Sequence, residues 1–376
     1  MIKRILENII IERIGKNKII LILGARQTGK TTLVKHIAQK LDLKTLWLDG
    51  DESDVRELLS HPTSTRLKAI TGKNQLVIID EAQRVENIGI TLKLMVDNIP
   101  NVQIIATGSS SLELANRINE PLTGRKYEFY LFPLCYQEMT EETSSLEENR
   151  LLEHRLIYGY YPDVVTHPGE EIELLSLLSG SYLYKDLFTL ERIKKPVILE
   201  KLVRALALQI GSEVSYNEIG QLVGADKQTV ERYIDLLEKA FIVFRLQSLS
   251  RNVRNEIKKS RKIYFFDNGI RNAVIKNFNP LSFRQDVGAL WENFLIGERI
   301  KINHYLGRQV NAYFWRTHAQ QEIDYIEEYS GKLYAYEFKW NPTRKVKFPK
   351  TFLNAYPEAK TNVVSRDNFT DFFGMH

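Results

Sequence analysis

Apolar residues along the chain follow two periods. Ile19–Leu23 (IILIL), Leu76–Ile79 (LVII) and the stretch VQIIATG ending at Gly108 are almost uninterrupted, which predicts strands buried on both faces, as in a parallel sheet. After the first run the period changes: Leu33, Val34, Ile37 and Ala38 put one apolar stripe on a helix. From Leu199 the helical period dominates, in LEKLVRALALQIG, SYNEIGQLVG and DKQTVERYIDLLEKAF. In the last of these Val230, Tyr233, Ile234, Leu237 and Phe241 share a face, and Asp226 stands where an N-cap is expected. A short turn at Gly224 separates the second and third helices, the arrangement of a helix-turn-helix. Two strand-like segments follow, IVFRL and KIYFF, joined by the basic loop SLSRNVRNEIKKSR. GALWENFLIGERIKIN then reads as a helix, and HYLGRQVNAYFWR, QEIDYIEE and KLYAYEFKW as strands, the last two turning at Ser330-Gly331.

At 376 residues the chain is long for one domain and implies two or three. The single cysteine, Cys135, excludes an internal disulfide framework and fits a reducing, cytoplasmic setting. No run approaches the roughly 20 apolar residues that span a bilayer. The N-terminus, basic and apolar but broken by charges, reads as a helix and then a strand and not as a signal peptide. Net charge is +5, unevenly spread. Residues 131–180 carry ten acids against two basic residues, whereas 241–280 carry nine basic residues against two acids. The first run predicts a solvated or docking face and the second a patch able to meet phosphate.

The loop after the first strand fits Gly24-x4-Gly29-Lys30-Thr31. Glycines let backbone N–H groups turn around phosphates at the positive end of the following helix, so Gly24, Ala25, Arg26, Gln27, Thr28, Gly29, Lys30, Thr31 and Thr32 are the expected nucleotide contacts. Lys30 would reach the β/γ-phosphates and Thr31 would ligate Mg²⁺. Asp80, at the end of the second strand, would hold the same Mg²⁺ through water, and Glu81 would polarise the attacking water. The third strand ends in polar residues placed to sense the γ-phosphate, Ser109 ahead of Thr107. Arg125, between a glycine and an apolar strand, is read either as an arginine offered to a γ-phosphate, in cis or from a neighbouring copy, or as a surface residue in a turn. No guanine-reading Asn-Lys-x-Asp is present, which favours ATP over GTP.

GARQTGKTT, IIDEAQ, TGSSS and LTGR…LFPL together resemble the AAA-type ATPases. More closely they resemble a bacterial and archaeal ATPase family in which this core is fused to a C-terminal domain of unknown function. The resemblance covers most of the chain and implies an α/β fold, a P-loop NTPase parallel sheet sandwiched by helices with ATP at the strand carboxyl ends.

Beyond that core the helices from Leu199 and the two strands after them read as a winged helix. Glu231, Asp235 and Glu238 alternate with Lys227, Arg232 and Lys239 on the outward face of its third helix, so base reading by that helix is disfavoured and the basic loop is the better phosphate contact. Glu292 on a helix, Asp324 on a strand and Glu337-x-Lys339 on the next resemble the PD-(D/E)xK nuclease constellation and its restriction-endonuclease-like α/β fold. There Asp324, Glu337 and Glu292 would hold Mg²⁺, and Lys339 would orient water or stabilise charge. The competing reading is a hairpin of cross-strand ion pairs on a fold kept as a scaffold. The expected units are thus an ATPase core at 1–135, an acidic helical lid at 136–190, a winged helix at 191–280 and a nuclease-like domain at 281–376. Nucleic acid, DNA ahead of RNA, would meet residues 241–262 and 344–350, and a homo-oligomer is allowed. The two functions in view are a Mg²⁺-dependent ATPase coupled to nucleic-acid binding and cleavage, and an ATP-driven switch whose nuclease-like part binds a partner silently.

Overall fold

The computed structural model describes residues 2–109, 121–182, 195–250 and 260–374. The first unit alternates helix and strand: α1 (Ile5–Ile11), β1 (Ile19–Leu23), α2 (Lys30–Leu41), β2 (Thr45–Asp49), α3 (Ser53–Ser60), α4 (Ser64–Thr71), β3 (Leu76–Asp80), α5 (Ile88–Asn98), β4 (Gln103–Gly108) and β5 (Lys126–Tyr130). The strands form one parallel sheet in the order β2-β3-β4-β1-β5. β1 and β3 are buried along their whole length, the reason their sequences lack alternation. Because β4 lies between β1 and β3, its last residues stand between the loop after β1 and the acids that end β3.

Short helices follow: α6 (Tyr136–Glu142), α7 (Ser145–Arg150), α8 (Leu152–Tyr158), α9 (Pro162–Thr166) and α10 (Glu171–Leu177). Then come α11 (Pro196–Leu208), α12 (Tyr216–Val223) and α13 (Lys227–Lys239). Gly224 closes α12 with φ at 77°, a left-handed conformation that glycine adopts without a Cβ clash. Asp226 caps α13 by accepting the Thr229 N–H at 2.8 Å.

The remaining elements are β6 (Val243–Ser248), β7 (Arg261–Phe265), α14 (Asn268–Val274), α15 (Val287–Tyr305), β8 (Asn311–Arg316), β9 (Glu322–Tyr329), β10 (Lys332–Phe338), α16 (Lys350–Ala355), β11 (Lys360–Val364) and α17 (Phe369–Gly374). Here the expected boundary at 280/281 does not separate two sheets. β6 and β7 pair antiparallel as wing strands should, but β6 also pairs parallel with β8 through Gln247↔Tyr313 and Ser248↔Phe314. The result is one mixed sheet, β11-β10-β9-β8-β6-β7. A two-stranded wing leaves a row of unpaired backbone groups on β6, and β8 meets that row at its last two residues. A single apolar core likewise runs from Leu134 through Leu156, Leu206 and Tyr233 to Trp291 and Phe373, across the expected boundary at 190/191. The basic loop residues Arg251, Arg254, Lys258 and Lys259 lie outside the described residues.

α15 is fastened to this sheet by a buried ion pair. Arg299 donates to both oxygens of Glu327 at 2.8 and 2.7 Å, both side chains are fully buried, and Asn303 and Tyr325 complete the carboxylate's partners. Burial works to raise the Glu327 carboxyl, yet these bonds hold it below its ordinary range. Glu327→Gln should therefore destabilise this unit by about 3–5 kcal/mol, since it leaves a buried guanidinium half-paired. Denaturant unfolding followed by tryptophan fluorescence measures it. A change below about 1 kcal/mol would place the pair in a solvated setting.

Candidate functional site

The loop from Gly24 to Thr31 is shaped by two close approaches. A Cβ on Gly24 would lie 2.1 Å from the Leu131 carbonyl oxygen, so the strand end can pass β5 only as glycine. Gly29 sits at φ 91° just before α2. Thr28 Oγ1 donates to the Ala25 carbonyl at 2.9 Å. The Lys30 ammonium is buried and donates to the carbonyls of Gly24 at 3.0 Å and Ala25 at 2.8 Å, so it lies folded over its own loop.

Asp80 and Glu81 face this loop across β4. Thr107 donates from Oγ1 to Asp80 Oδ1 and accepts the Glu81 N–H at 3.1 Å, so its hydroxyl holds both acids in register. Glu81 has φ at 47°, a left-handed backbone that costs about 1–3 kcal/mol in a non-glycine residue and is typical of functional positions. The Gln83 side-chain amide donates to Glu81 Oε2 and, at 2.9 Å, to Ser109 Oγ. Ser109 is thus joined to Glu81 through Gln83, while Thr107 is tied to the acids directly.

Between loop and acids lies a cleft of about 410 Å³, lined by Arg26, Gln27, Gly29, Lys30, Thr31, Thr32, Glu81 and Arg84, with Asp51 opposite. Pro162 and Asp163 of α9 line its rim. A neighbouring recess of about 170 Å³ is bounded by Ile2, Leu33, Leu134 and Pro162, an apolar setting of a size for a purine base beside a polar phosphate cleft. For magnesium the donors fit: Thr31 opens α2 on the cleft wall and Asp80 is a buried carboxylate with one oxygen held by Thr107. A hydroxyl and one carboxylate are what Mg²⁺ takes when phosphates supply further oxygens.

Arg125 does not join this site. It precedes β5, which runs parallel to β1 with Lys126 opposite Ile19, so it lies at the amino edge of the sheet. The cleft is at the carboxyl edge, about 13 Å or more away along five residues of strand. Its side chain is exposed and pairs with Asp97 at 2.7 Å. The reading in cis is therefore corrected; reach from a neighbouring copy is the remaining route.

Behind the loop, buried Arg4 donates to the carbonyls of Thr28 and Phe132, both at 2.7 Å, and to Glu138 Oε1 at 3.0 Å. Tyr305, the last residue of α15, meets the same guanidinium at 3.5 Å and accepts the Phe132 N–H at 3.2 Å. His304 Nε2 accepts the Tyr130 N–H at 3.0 Å, and burial pushes its pKa down to about 4, so it is neutral. The loop is thereby in hydrogen-bond contact with the C-terminal half.

The second set of expected residues also comes together. Lys339 Nζ donates to Glu337 Oε2 at 2.7 Å and to Asp324 Oδ2 at 3.2 Å, and Asp324 Oδ2 also accepts the Phe338 N–H at 2.8 Å. Glu292 Oε1 accepts from Lys262 at 3.1 Å and from the Tyr264 hydroxyl at 2.5 Å. Lys262, 1% exposed, also pairs with Glu322. Burial pushes the Glu292 carboxyl up to about 7 although Lys262 opposes it. Among the described residues no group of three or more His, Cys, Asp or Glu is arranged to hold a metal ion. Glu292, Asp324 and Glu337 stand here in a carboxylate–lysine network in which one oxygen of each carboxylate accepts from a donor of the chain.

Among the described residues of 241–280, four of the five basic side chains pair with acids. Arg245 pairs with Asp235 and Glu238, Arg261 with Glu231, Lys262 with Glu292 and Glu322, and Arg271 with Asp286. By contrast Arg344, Lys345, Lys347 and Lys350 are exposed within one short segment after β10.

Sequence reading missed Gln83, Arg84, Arg4 and Lys262. Gln83 and Arg84 carried a local signal, two and three residues past Glu81. Lys262 carried a weaker one, a charge leading into the apolar run Ile263–Phe265. Arg4 had none, since its partner Glu138 is 134 residues away.

Residues 16–140 match the family described as AAA domain, 149–281 a domain of unknown function (DUF8612) and 287–372 a domain of unknown function (DUF4143). The first unit is accordingly an AAA-type P-loop domain. The chain is 26% identical over 334 residues to the Mycobacterium tuberculosis uncharacterized protein Rv2008c, covering 87% of this chain and 71% of that one. It is 23% identical over 371 residues to Methanocaldococcus jannaschii uncharacterized protein MJ1544, covering 93% and 81%. Among solved structures it is similar to the Aeropyrum pernix ORC1 protein in complex with DNA, at 15% identity, 72% and 91% coverage and a TM-score of 0.30. The Thermotoga maritima RuvB Holliday junction branch migration motor gives 16%, 67% and 91%, and 0.32. No helix among the described residues is long and apolar enough to cross a membrane.

Glu81→Gln should retain ATP and lower turnover by about 10²–10⁴, because it removes the base and keeps the shape. Equilibrium ATP binding and steady-state hydrolysis measure the two effects, and normal turnover would remove Glu81 from water activation. Arg125→Ala should leave turnover of the monomer unchanged.

Proposed function

We propose that this protein is a Mg²⁺-dependent ATPase whose nucleotide state is relayed to a C-terminal half that holds nucleic acid by its phosphates without cutting it. The observation that carries the reading is the cleft lined by Gly29, Lys30, Thr31 and Glu81 with buried Asp80 adjoining, and with Thr107, Gln83 and Ser109 bracing the acids. The ammonium of Lys30 exchanges two carbonyl partners for phosphate oxygens, a stronger charge-assisted bond. Bound Mg²⁺ would neutralise charge on the transferred phosphoryl group, held from the protein side by Thr31 and Asp80. Glu81 polarises the attacking water, and Gln83 passes its position to Ser109.

Arg4 and Tyr305 supply the relay, since a shift at Thr28 is felt at the end of α15. Nucleic acid is favoured as the partner by the exposed cations at 344–350, with DNA ahead of RNA; residues 251–259 would add to them. Cleavage, the alternative use of this domain, is disfavoured by the additional lysine, Lys262, paired with Glu292 and Glu322. A homo-oligomer would bring a neighbour's Arg125 to the cleft.

Hydrolysis of ATP with and without DNA or RNA tests the reading. Lys30→Ala should abolish nucleotide binding; retained binding and turnover would overturn the ATPase assignment. Replacing Arg344, Lys345, Lys347 and Lys350 by Ala should weaken association with any sequence and reduce the slope of log affinity against log salt by about 3–4. An unchanged slope would move the contact off this segment.

A further inference from the structure

The PD-(D/E)xK-like arrangement calls for a divalent cation among its carboxylates. Here the same carboxylates already have cations of the chain's own. Glu292, Glu322, Asp324 and Glu337 converge from α15, β9 and β10, and two ammonium groups sit among them. Lys339 bridges Asp324 and Glu337; Lys262 bridges Glu292 and Glu322. The donors gather on one oxygen each of Glu292, Asp324 and Glu337. Glu292 Oε1 takes both Lys262 and Tyr264, and Asp324 Oδ2 takes both Lys339 and the Phe338 N–H.

Lys262 is the unusual member. Lys339 belongs to the Glu-x-Lys strand itself, whereas Lys262 comes from β7, the far edge strand of the sheet. Its neighbours along β7 are Ile263, Tyr264 and Phe265, all buried, and it is itself 1% exposed. A lysine is almost never that buried unless its charge is met. The ammonium is also a compact point charge with three donors, well suited to stand between several carboxylates.

We propose that Lys262 is the resident cation of this cluster: its ammonium occupies the electrostatic position of a divalent metal, which the wild-type protein therefore does not bind there. Removing it leaves four carboxylates against the Lys339 ammonium and the Arg316 guanidinium, which meets Glu322 at 3.6 Å, a set of hard oxygens still in charge excess that a divalent ion can satisfy. Lysine at this position thus turns a metal-type constellation into a permanent clasp between the wing strands and the rest of the sheet. The inference rests on the cluster's geometry and does not depend on the reading of the nucleotide cleft.

Mn²⁺ binding to the full-length protein, without nucleotide, tests it by electron paramagnetic resonance, with Asp324→Asn marking the ions that belong to this cluster. Wild type should show no Asp324-dependent Mn²⁺ up to about 1 mM, the weak end of protein sites for hard divalent cations. Lys262→Met, which keeps the apolar stem, should gain one Asp324-dependent ion with affinity at least about tenfold tighter, as one full charge is withdrawn at close range. Lys262→Arg should keep the charge and gain none. An Asp324-dependent ion in wild type overturns the proposal, and that comparison stands even if Lys262→Met fails to fold. A folded Lys262→Met that binds no ion overturns it equally.

Discussion

A guanidinium taken out of water has to be met on its N–H groups, and Arg4 is met by four separate parts of the chain. It reaches the phosphate loop at Thr28, the segment after β5 at Phe132, the helix α6 at Glu138, and the end of α15 at Tyr305. Burial opposes the charge, yet Glu138 keeps its pKa above the ordinary value. Glu138 also accepts the N–H groups of Ile5 and Cys135, so the carboxylate fixes the two segments that Arg4 joins. A partner lost from such a site leaves an uncompensated charge, which makes the arrangement all-or-none. Loop position, helix entry and α15 docking are thus set by one residue near the N-terminus.

What the sequence disclosed was whatever is local. The nine residues of the loop, the acids at the end of β3 and the cap at Asp226 are contiguous patterns whose chemistry depends on near neighbours. Strand partners are not local. Arg125 looked suited to a γ-phosphate because it follows a glycine and opens a strand, but opening a strand parallel to β1 puts it at the wrong edge, and that direction is a property of the sheet. The wing suffered similarly: β6 and β7 read as a closed pair, while β8, the strand that covers β6, comes more than sixty residues later.

The charge pattern was legible as a count, but not the pairing of its described members. Described basic residues of 241–280 pair with Asp235, Glu238, Glu231, Glu292, Glu322 and Asp286, acids that are adjacent in space and not in sequence. A run of one sign is therefore no measure of exposed potential when opposite charge folds back against it. The cations after β10 differ because they follow the end of the strand and are exposed.

α15 has a mechanical meaning beyond its contacts. Glu292 lies in its second turn and Tyr305 at its last residue, about 20 Å apart at 1.5 Å per residue. Arg299 and Glu327 pin the helix between these points, which makes the pair a fulcrum. A tilt of about 6° about it displaces each end by roughly 1 Å in opposite senses, given that length. That is enough to spoil a hydrogen bond at either end. The helix is one rigid span between the grip at Arg4 and the lysine clasp, and the ion pair between them limits how far either end can move.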